Sequence, residues 1–111
     1  MLYIGVDLGT SAVKLLMMDE NGNIQKIVSK EYPLYFPYPG WSEQNPQDWF
    51  AQSMEGIKEL TSECDKSQVA GISFGGQMHG LVVLDKEDQV IRPAILWNDG
   101  RTTKETNYLN Q

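Results

Sequence analysis

The opening thirty residues alternate short apolar runs with glycine-containing turns, a pattern that predicts strands and leaves no room for a long helix. Leu2 to Leu8 is mostly apolar, Ala12 to Asp19 resumes the apolar character, and Ile24 to Lys30 follows. Asn21-Gly22 lies between the last two runs, and both residues tolerate positive φ, so the pair is a strong hairpin signal. The sequence therefore predicts three strands in an antiparallel meander.

A loop and a helix follow the meander. Residues 32 to 41 carry three prolines in seven positions, which forbids a helix there. Asn45 can cap a helix that has Pro46 in its first position and ends near Cys64. Gly56 inside that helix costs about 1 kcal/mol relative to alanine, so we expect a close packing contact at this position. We also expect the helix to face the sheet with four apolar residues, Phe50, Met54, Ile57 and Leu60.

The rest of the chain predicts further strands and a last helix. Val69 to Phe74 is a short apolar run that predicts a buried strand, and Leu81 to Asp85 with Val90 to Trp97 predict a second hairpin. Asn98 or Asp99 can cap the last helix. This order of elements is the start of an α/β ribonuclease-H-like unit with a mixed sheet. Because that unit normally ends with a further strand and helix, we expect it to be incomplete at the C-terminus.

Composition narrows the classes of function. The 111 residues carry 9 Lys and Arg against 15 Asp and Glu, a formal charge of −6, which argues against nucleic acid and membrane surfaces as partners. No apolar run approaches the ~18 residues of a membrane span, and the N-terminus lacks the basic leader of a signal peptide. The cytoplasm is therefore the expected compartment. The single cysteine, Cys64, excludes an internal disulfide and a cysteine-based zinc site.

The first candidate site is the turn after the first strand with the residues next to it, Asp7-Leu8-Gly9-Thr10-Ser11-Ala12-Val13-Lys14. Its glycine lets the backbone approach a ligand, and backbone N–H groups in such a turn can bind an anion. Asp7 could hold Mg²⁺ through water, and Lys14 adds a cation if it points to the same side. Neither a P-loop nor a GxGxxG fingerprint occurs. An ordinary hairpin with a polar tip explains the same residues, although a carboxylate on a buried strand is rarely placed without a partner.

The second candidate site is Phe74-Gly75-Gly76-Gln77-Met78-His79-Gly80, at the exit of the predicted core strand. Ligands of open α/β sheets gather at the carboxyl ends of strands. Gln77 and His79 offer donors and acceptors and Met78 offers an apolar wall, a set that suits a small polyol. Because His79 is the only histidine, a histidine-based metal site is excluded. A tight turn with a satisfied histidine accounts for the segment equally well.

The third candidate site is Trp97-Asn98-Asp99-Gly100-Arg101. Trp97 can line a pocket, while Asn98, Asp99 and Arg101 can bond the hydroxyls of a ligand or one another. By itself the segment favours a helix cap followed by a surface ion pair.

Taken together, these segments resemble the FGGY carbohydrate kinases. The resemblance is carried by residues 3–11, by Gly76-Gln77-Met78-His79-Gly80, by residues 92–101, and by Trp41-Ser42-Glu43-Gln44 before the helix. It implies an actin-like ATPase fold and a two-domain enzyme that uses ATP and Mg²⁺ to phosphorylate a sugar. The Gln-Met-His-Gly segment favours a ketopentose, D-xylulose, with xylulose 5-phosphate as the product.

The resemblance also assigns roles to individual residues. It makes Asp7 a supporting catalytic carboxylate near the metal and the phosphates. The residues of the phosphate site are Gly9, Thr10, Ser11 and Lys14. The residues in contact with the sugar are Gln77, Met78, His79, Asn98, Asp99 and Arg101.

Members of this family are several times longer than 111 residues. The resemblance places their catalytic base, an Asp, and most of the adenosine pocket beyond residue 111. Residues 1–111 are therefore expected to be the N-terminal part of the first kinase domain, to be inactive alone, and to self-associate through an exposed sheet edge. Three alternatives stay open: another sugar or polyol kinase of the family, a non-sugar actin-like ATPase, and a non-catalytic actin-like binding module.

Overall fold

The computed structural model of the protein describes residues 1–111, which form two units. Unit 1 comprises residues 1–32 and 47–77, and unit 2 comprises residues 33–46 and 78–111. In chain order the elements are β1 (Leu2–Leu8), β2 (Ala12–Asp19), β3 (Ile24–Glu31), β4 (Glu43–Gln44), α1 (Pro46–Leu60), β5 (Val69–Gly76), β6 (Ala94–Ile95) and α2 (Thr103–Leu109).

Unit 1 is built on a four-stranded mixed sheet with the strand order β3-β2-β1-β5. β1, β2 and β3 pair antiparallel in sequence, which confirms the predicted meander. β5 pairs parallel with β1, so β1 has a neighbour on both sides. The predicted hairpin turn is also present, with Gly22 at a φ of +83°. Asn21 does not adopt positive φ; instead its backbone N–H donates to the Asp19 carboxylate at 2.9 Å.

One face of this sheet forms the core of unit 1. Side chains of a strand alternate between the two faces of a sheet, and the buried set on β1 and β2 follows that alternation. Ile4 and Val6 on β1 are buried together with Val13, Leu15 and Met17 on β2. The helix α1 packs against this core with Trp49, Ile57 and Leu60.

The predicted orientation of the helix is wrong for two residues. Phe50 and Met54 are 69% and 41% exposed, and Trp49 takes the place expected for them. The reason lies at Gly56, where the helix comes closest to the sheet. At ~100° per residue, Phe50 and Met54 lie roughly 120° and 160° around the helix from Gly56, whereas Trp49 lies about 20° away.

The predicted burial of β5 is also wrong. Ile72 and Phe74 are 45% and 64% exposed, and β5 is an edge strand with β1 as its only neighbour. Apolar side chains next to an unpaired strand edge favour association with other chains. Self-association of this chain therefore stays a prediction.

In unit 2, β4 and β6 form a two-residue antiparallel ladder. The predicted second hairpin is reduced to isolated bridges, Leu81 with Ile95 and Leu84 with Val90, around a turn at residues 85–89. The last helix, α2, begins at Thr103, and neither Asn98 nor Asp99 caps it. The Asp99 carboxylate instead accepts hydrogen bonds from the Arg101 side chain. No helix of the protein is long and apolar enough to cross a bilayer.

Gly56 is required by the contact between α1 and the sheet. An ideal Cβ at this position would lie 2.4 Å from Cδ1 and 3.3 Å from Cγ of Leu15. Leu15 is 1% exposed and belongs to the core cluster of unit 1. The expected close packing contact is thus confirmed.

We predict that Gly56→Ala lowers the free energy of unfolding by about 1 kcal/mol, measured by urea denaturation. Overpacking against Leu15 costs about 1–3 kcal/mol, which exceeds the gain of about 1 kcal/mol in helix propensity. In the Gly56→Ala background, Leu15→Ala should cost less than the ~2–5 kcal/mol expected for that change alone, since the new methyl group fills part of the space. A Gly56→Ala protein more stable than the parent would contradict this packing account.

Candidate functional site

The turn between β1 and β2 is narrow and depends on glycine. The backbone N–H of Gly9 donates to the carbonyl of Ala12 at 2.9 Å. An ideal Cβ on Gly9 would lie only 3.0 Å from that same oxygen, so a larger residue would push the turn open. The turn predicted as a phosphate site is therefore a compact backbone bend.

Tyr32 secures this turn from the far end of the meander. Its hydroxyl donates to the carbonyl of Gly9, and its backbone N–H donates to the carbonyl of Ser11 at 3.2 Å. The ring is buried in the core of unit 1. Burial first, and the negative charge of Asp7 second, raise the pKa of the Tyr32 phenol. This role was missed because Tyr32 counted as part of the proline-rich loop, although β3 pairs with β2 and ends directly before it.

Asp7 is exposed and lies on the uncovered face of the sheet. The register of the sheet places it opposite Lys14 on β2 and opposite Gly75 on β5. All three residues line one groove of about 470 Å³. An ideal Cβ on Gly75 would meet nothing within 4 Å, so open space adjoins the Asp7 strand end. The condition that Lys14 lie on the same side as Asp7 is met.

These residues suit a hydrated magnesium ion beside phosphate, although not a metal cage made by the protein. No group of three or more His, Cys, Asp or Glu side chains is placed to hold a metal. Mg²⁺ keeps several of its waters and often binds through one or two carboxylates together with substrate phosphates. One carboxylate at Asp7, one cation at Lys14 and the space left by Gly75 match those needs.

The exit of β5 is tied to the end of β1. The backbone N–H of Gln77 donates to the carbonyl of Leu8 at 2.9 Å. Gly76 allows this approach, because a Cβ there would lie 3.2 Å from both Cβ and the carbonyl oxygen of Leu8. Gln77 therefore belongs to the same unit as the phosphate turn.

Met78 and His79 lie in unit 2 and are exposed, Met78 to 72%. His79 has a φ of 60°, in the left-handed region that favours glycine. A residue with a side chain pays more conformational free energy in this region than glycine does. Strained positions of this kind cluster at functional sites.

Asp99 and Arg101 form a buried ion pair within unit 2. The Asp99 side chain is 1% exposed and the Arg101 side chain 10%. Two guanidinium nitrogens of Arg101 donate to the carboxylate, at 2.9 and 2.6 Å. This hydrogen bonding holds the pKa of Asp99 well below its usual range and raises that of Arg101. The predicted pairing of the two residues is present, but it is buried instead of lying at the surface.

Glu43 and Trp41 complete this cluster and were missed as functional candidates. Glu43, 11% exposed, pairs with Arg92 at 2.5 Å and with Arg101 at 2.8 Å. The Arg101 guanidinium carbon lies 3.7 Å from the centroid of the Trp41 ring. Glu43 lies two residues after Trp41 and shortly before a proline-led helix, and its pairing with Arg92 and Arg101 has no signal in the sequence.

The predicted site residues thus fall into two groups. Those in unit 1 are Asp7, Gly9, Thr10, Ser11, Lys14 and Gln77. Those in unit 2 are Met78, His79, Asn98, Asp99 and Arg101.

We predict that Tyr32→Phe loosens the phosphate turn selectively. Loss of the hydroxyl donor to Gly9 should lower the free energy of unfolding by about 1 kcal/mol. Amide hydrogen exchange at residues 9–12 should accelerate beyond what that global loss explains. Tyr38→Phe is the matched control, since the Tyr38 ring is exposed and its hydroxyl makes no hydrogen bond. Equal effects of the two substitutions would remove the role given to the Tyr32 hydroxyl.

Known proteins are similar to this chain in sequence and in fold. The xylulose kinase of Bacillus subtilis (strain 168) is 53% identical over 102 residues, which is 90% of this chain and 20% of that protein. The xylulose kinase of Staphylococcus xylosus is 45% identical over 108 residues, 97% of this chain and 22% of that protein. The crystal structure of xylulose kinase from Rhodospirillum rubrum superposes with a TM-score of 0.94 at 28% identity, covering 99% of this chain and 23% of that one.

The structural match confirms the predicted fold class, and the chain spans about a fifth of the length of the curated relatives it matches. The family model for the N-terminal domain of the FGGY carbohydrate kinases matches residues 2–111. On the strength of that match and these relatives, the chain belongs to the FGGY family of carbohydrate kinases.

Proposed function

We propose that this chain is the N-terminal part of the first domain of a kinase that transfers the γ-phosphate of ATP to D-xylulose and forms xylulose 5-phosphate. The observation that carries the proposal is the 53% identity with a xylulose kinase over nearly the whole chain. The geometry agrees with it, since a carboxylate, a lysine and an open glycine position line one groove beside a narrow backbone turn.

The residues of unit 1 would bind and orient phosphate. The turn of Gly9, Thr10 and Ser11 would lie against the transferring group, with the Gly9 N–H holding the turn in shape through its bond to Ala12, and Lys14 would offset the charge of that group. Asp7 would hold a magnesium ion through its waters. Mg²⁺ bound with ATP neutralises charge that develops on the phosphoryl oxygens during transfer. The protein's contribution is therefore chiefly alignment and electrostatic stabilisation.

The residues of unit 2 would bind the sugar. Met78 and His79 are exposed, and the strained backbone at His79 is retained in place of a cheaper glycine. That choice is explained if the imidazole bonds a sugar hydroxyl. Gln77, at the end of unit 1, would be a further sugar contact.

The catalytic base and most of the nucleotide pocket would be supplied by a second domain outside residues 1–111. A base there would accept the proton of the attacking sugar hydroxyl. Residues 1–111 alone are therefore expected to show no xylulose-dependent turnover above a no-protein control.

A chimeric enzyme tests the proposed function directly. In it, this chain replaces the matching segment of the Bacillus subtilis xylulose kinase. We predict that the chimera phosphorylates D-xylulose in preference to glycerol and gluconate, measured by ADP release over a panel of acceptors. Asp7→Asn in the chimera should depress both sugar phosphorylation and sugar-independent ATP hydrolysis, because the carboxylate serves the phosphates.

The matched control is the same graft with the Staphylococcus xylosus segment, 45% identical to this chain, and the junction is set where that control is active. An inactive chimera beside an active control would contradict the proposed function. Preference for another polyol would favour the alternative of a related sugar kinase. ATP hydrolysis that no acceptor stimulates would favour an actin-like ATPase without sugar chemistry.

We predict that His79→Ala and His79→Gly in the chimera lower xylulose phosphorylation more than they lower sugar-independent ATP hydrolysis. The two variants should differ in stability, because glycine relieves the left-handed backbone that alanine keeps. His79→Gly should unfold with a free energy about 1 kcal/mol above that of His79→Ala. If His79→Gly retains parental xylulose turnover, His79 is not a sugar contact.

A further inference from the structure

The Asp99 carboxylate has no capacity left for a ligand. A carboxylate offers about four lone-pair sites. Its Oδ1 accepts from the backbone N–H and from Nε of Arg101, both at 2.9 Å. Its Oδ2 accepts from Nη2 of Arg101 and from the backbone N–H of Ser42, both at 2.6 Å. All four acceptors are used inside unit 2, and the side chain is 1% exposed.

These bonds fasten the 97–101 turn to residues 40–42. Besides the bond from Ser42 to Asp99, the backbone N–H of Gly100 donates to the carbonyl of Gly40 at 2.7 Å. The backbone N–H of Leu96 donates to the carbonyl of Ser42 at 3.0 Å. The turn is thus held at both of its ends and at its middle.

Arg101 is in turn held by groups that fix its plane. Nη2 pairs with Glu43 at 2.8 Å, and the guanidinium stacks on the Trp41 ring at 3.7 Å. Two carboxylates and an aromatic face bind the guanidinium and fix the orientation of its plane. Lysine has no planar group that could make the same contacts. The orientation of Asp99 follows from that of Arg101.

Asn98 is the polar side chain of this turn that remains available. It is exposed, makes no hydrogen bond within the protein, and lines a groove of about 400 Å³ with aromatic residues of the 36–42 loop. Aromatic walls with one amide donor and acceptor are typical of small-molecule sites.

We propose that Asp99 and Arg101 are positioning residues that act on the sugar through Asn98 and do not contact it themselves. This inference rests on the proposed function and revises the sugar contacts expected at residues 99 and 101. Tightening of the turn by the buried ion pair orders Asn98 before the sugar arrives, which lowers the entropic cost of binding.

A double-mutant cycle in the active chimera tests the proposal. The variants are Asn98→Ala, Asp99→Asn and the pair, with kcat and KM measured for D-xylulose and for ATP. We expect each single variant to raise the KM for xylulose about tenfold, which corresponds to ~1.4 kcal/mol. We expect the pair to raise it no further than the larger single effect, with the KM for ATP unchanged.

A second cycle uses Arg101→Lys in place of Asp99→Asn. Because this change is milder, the proposal can still be tested if the Asp99→Asn protein folds poorly. Lys104→Gln, which alters an exposed cation of α2, is the matched control and should leave all constants at parental values. Additive effects on the KM for xylulose would show an independent contact by Asp99 and overturn the proposal. A fall in kcat alone, with the KM for xylulose unchanged, would show a merely structural role and overturn it as well.

The outcomes separate this inference from the proposed function. If the unsubstituted chimera does not phosphorylate xylulose, the proposed function is contradicted. If the chimera is active and the effects of the two substitutions on the KM for xylulose add, only the positioning roles of Asp99 and Arg101 are contradicted.

Discussion

The pairing of β1 on both of its edges governs the geometry of unit 1. Antiparallel pairing with β2 sets Asp7 opposite Lys14, and parallel pairing with β5 sets it opposite Gly75. A shift of one residue in either register would turn Asp7 towards the core and an apolar side chain towards the groove. The alternation of buried and exposed residues on β1 opposes that shift, since Ile4 and Val6 would lose their burial. The position of the candidate phosphate site is thus a consequence of core packing.

The charged side chains of the two units differ in their exposure to solvent. In unit 1, Asp7 and Lys14 are exposed and line an open groove, so both can meet a charged ligand. In unit 2, Glu43, Asp99 and Arg101 are buried and satisfy one another, so their charges serve internal order. Removing one partner of a buried pair leaves an uncompensated charge and is strongly destabilising. This contrast separates residues that can bind ligands from residues that hold others in place.

Regular elements with local signals were predictable from the sequence. The meander follows from alternating apolar runs and a glycine turn, and the start of α1 follows from Asn45 and Pro46. Features that depend on distant contacts were not. The rotation of α1 is set by the approach of Gly56 to Leu15.

Within the candidate site, proximity along the chain was a good guide for the β1–β2 turn and a poor one for the 97–101 turn. Lys14 lies beside Asp7 because a tight hairpin joins their strands. Asp99, by contrast, is bound to Ser42, 57 positions away, and Glu43 is paired with Arg92 and Arg101. Such partners come together only through the tertiary fold, and a sequence pattern carries no trace of them.

The most direct test of the central claim is a crystal structure of the active chimera grown with Mg²⁺, ADP and a phosphoryl analogue. We expect phosphoryl density against the backbone of residues 9–11, with a hydrated metal ion next to Asp7 and Gly75. Phosphoryl density bound elsewhere, with the groove at Asp7 empty, would contradict it.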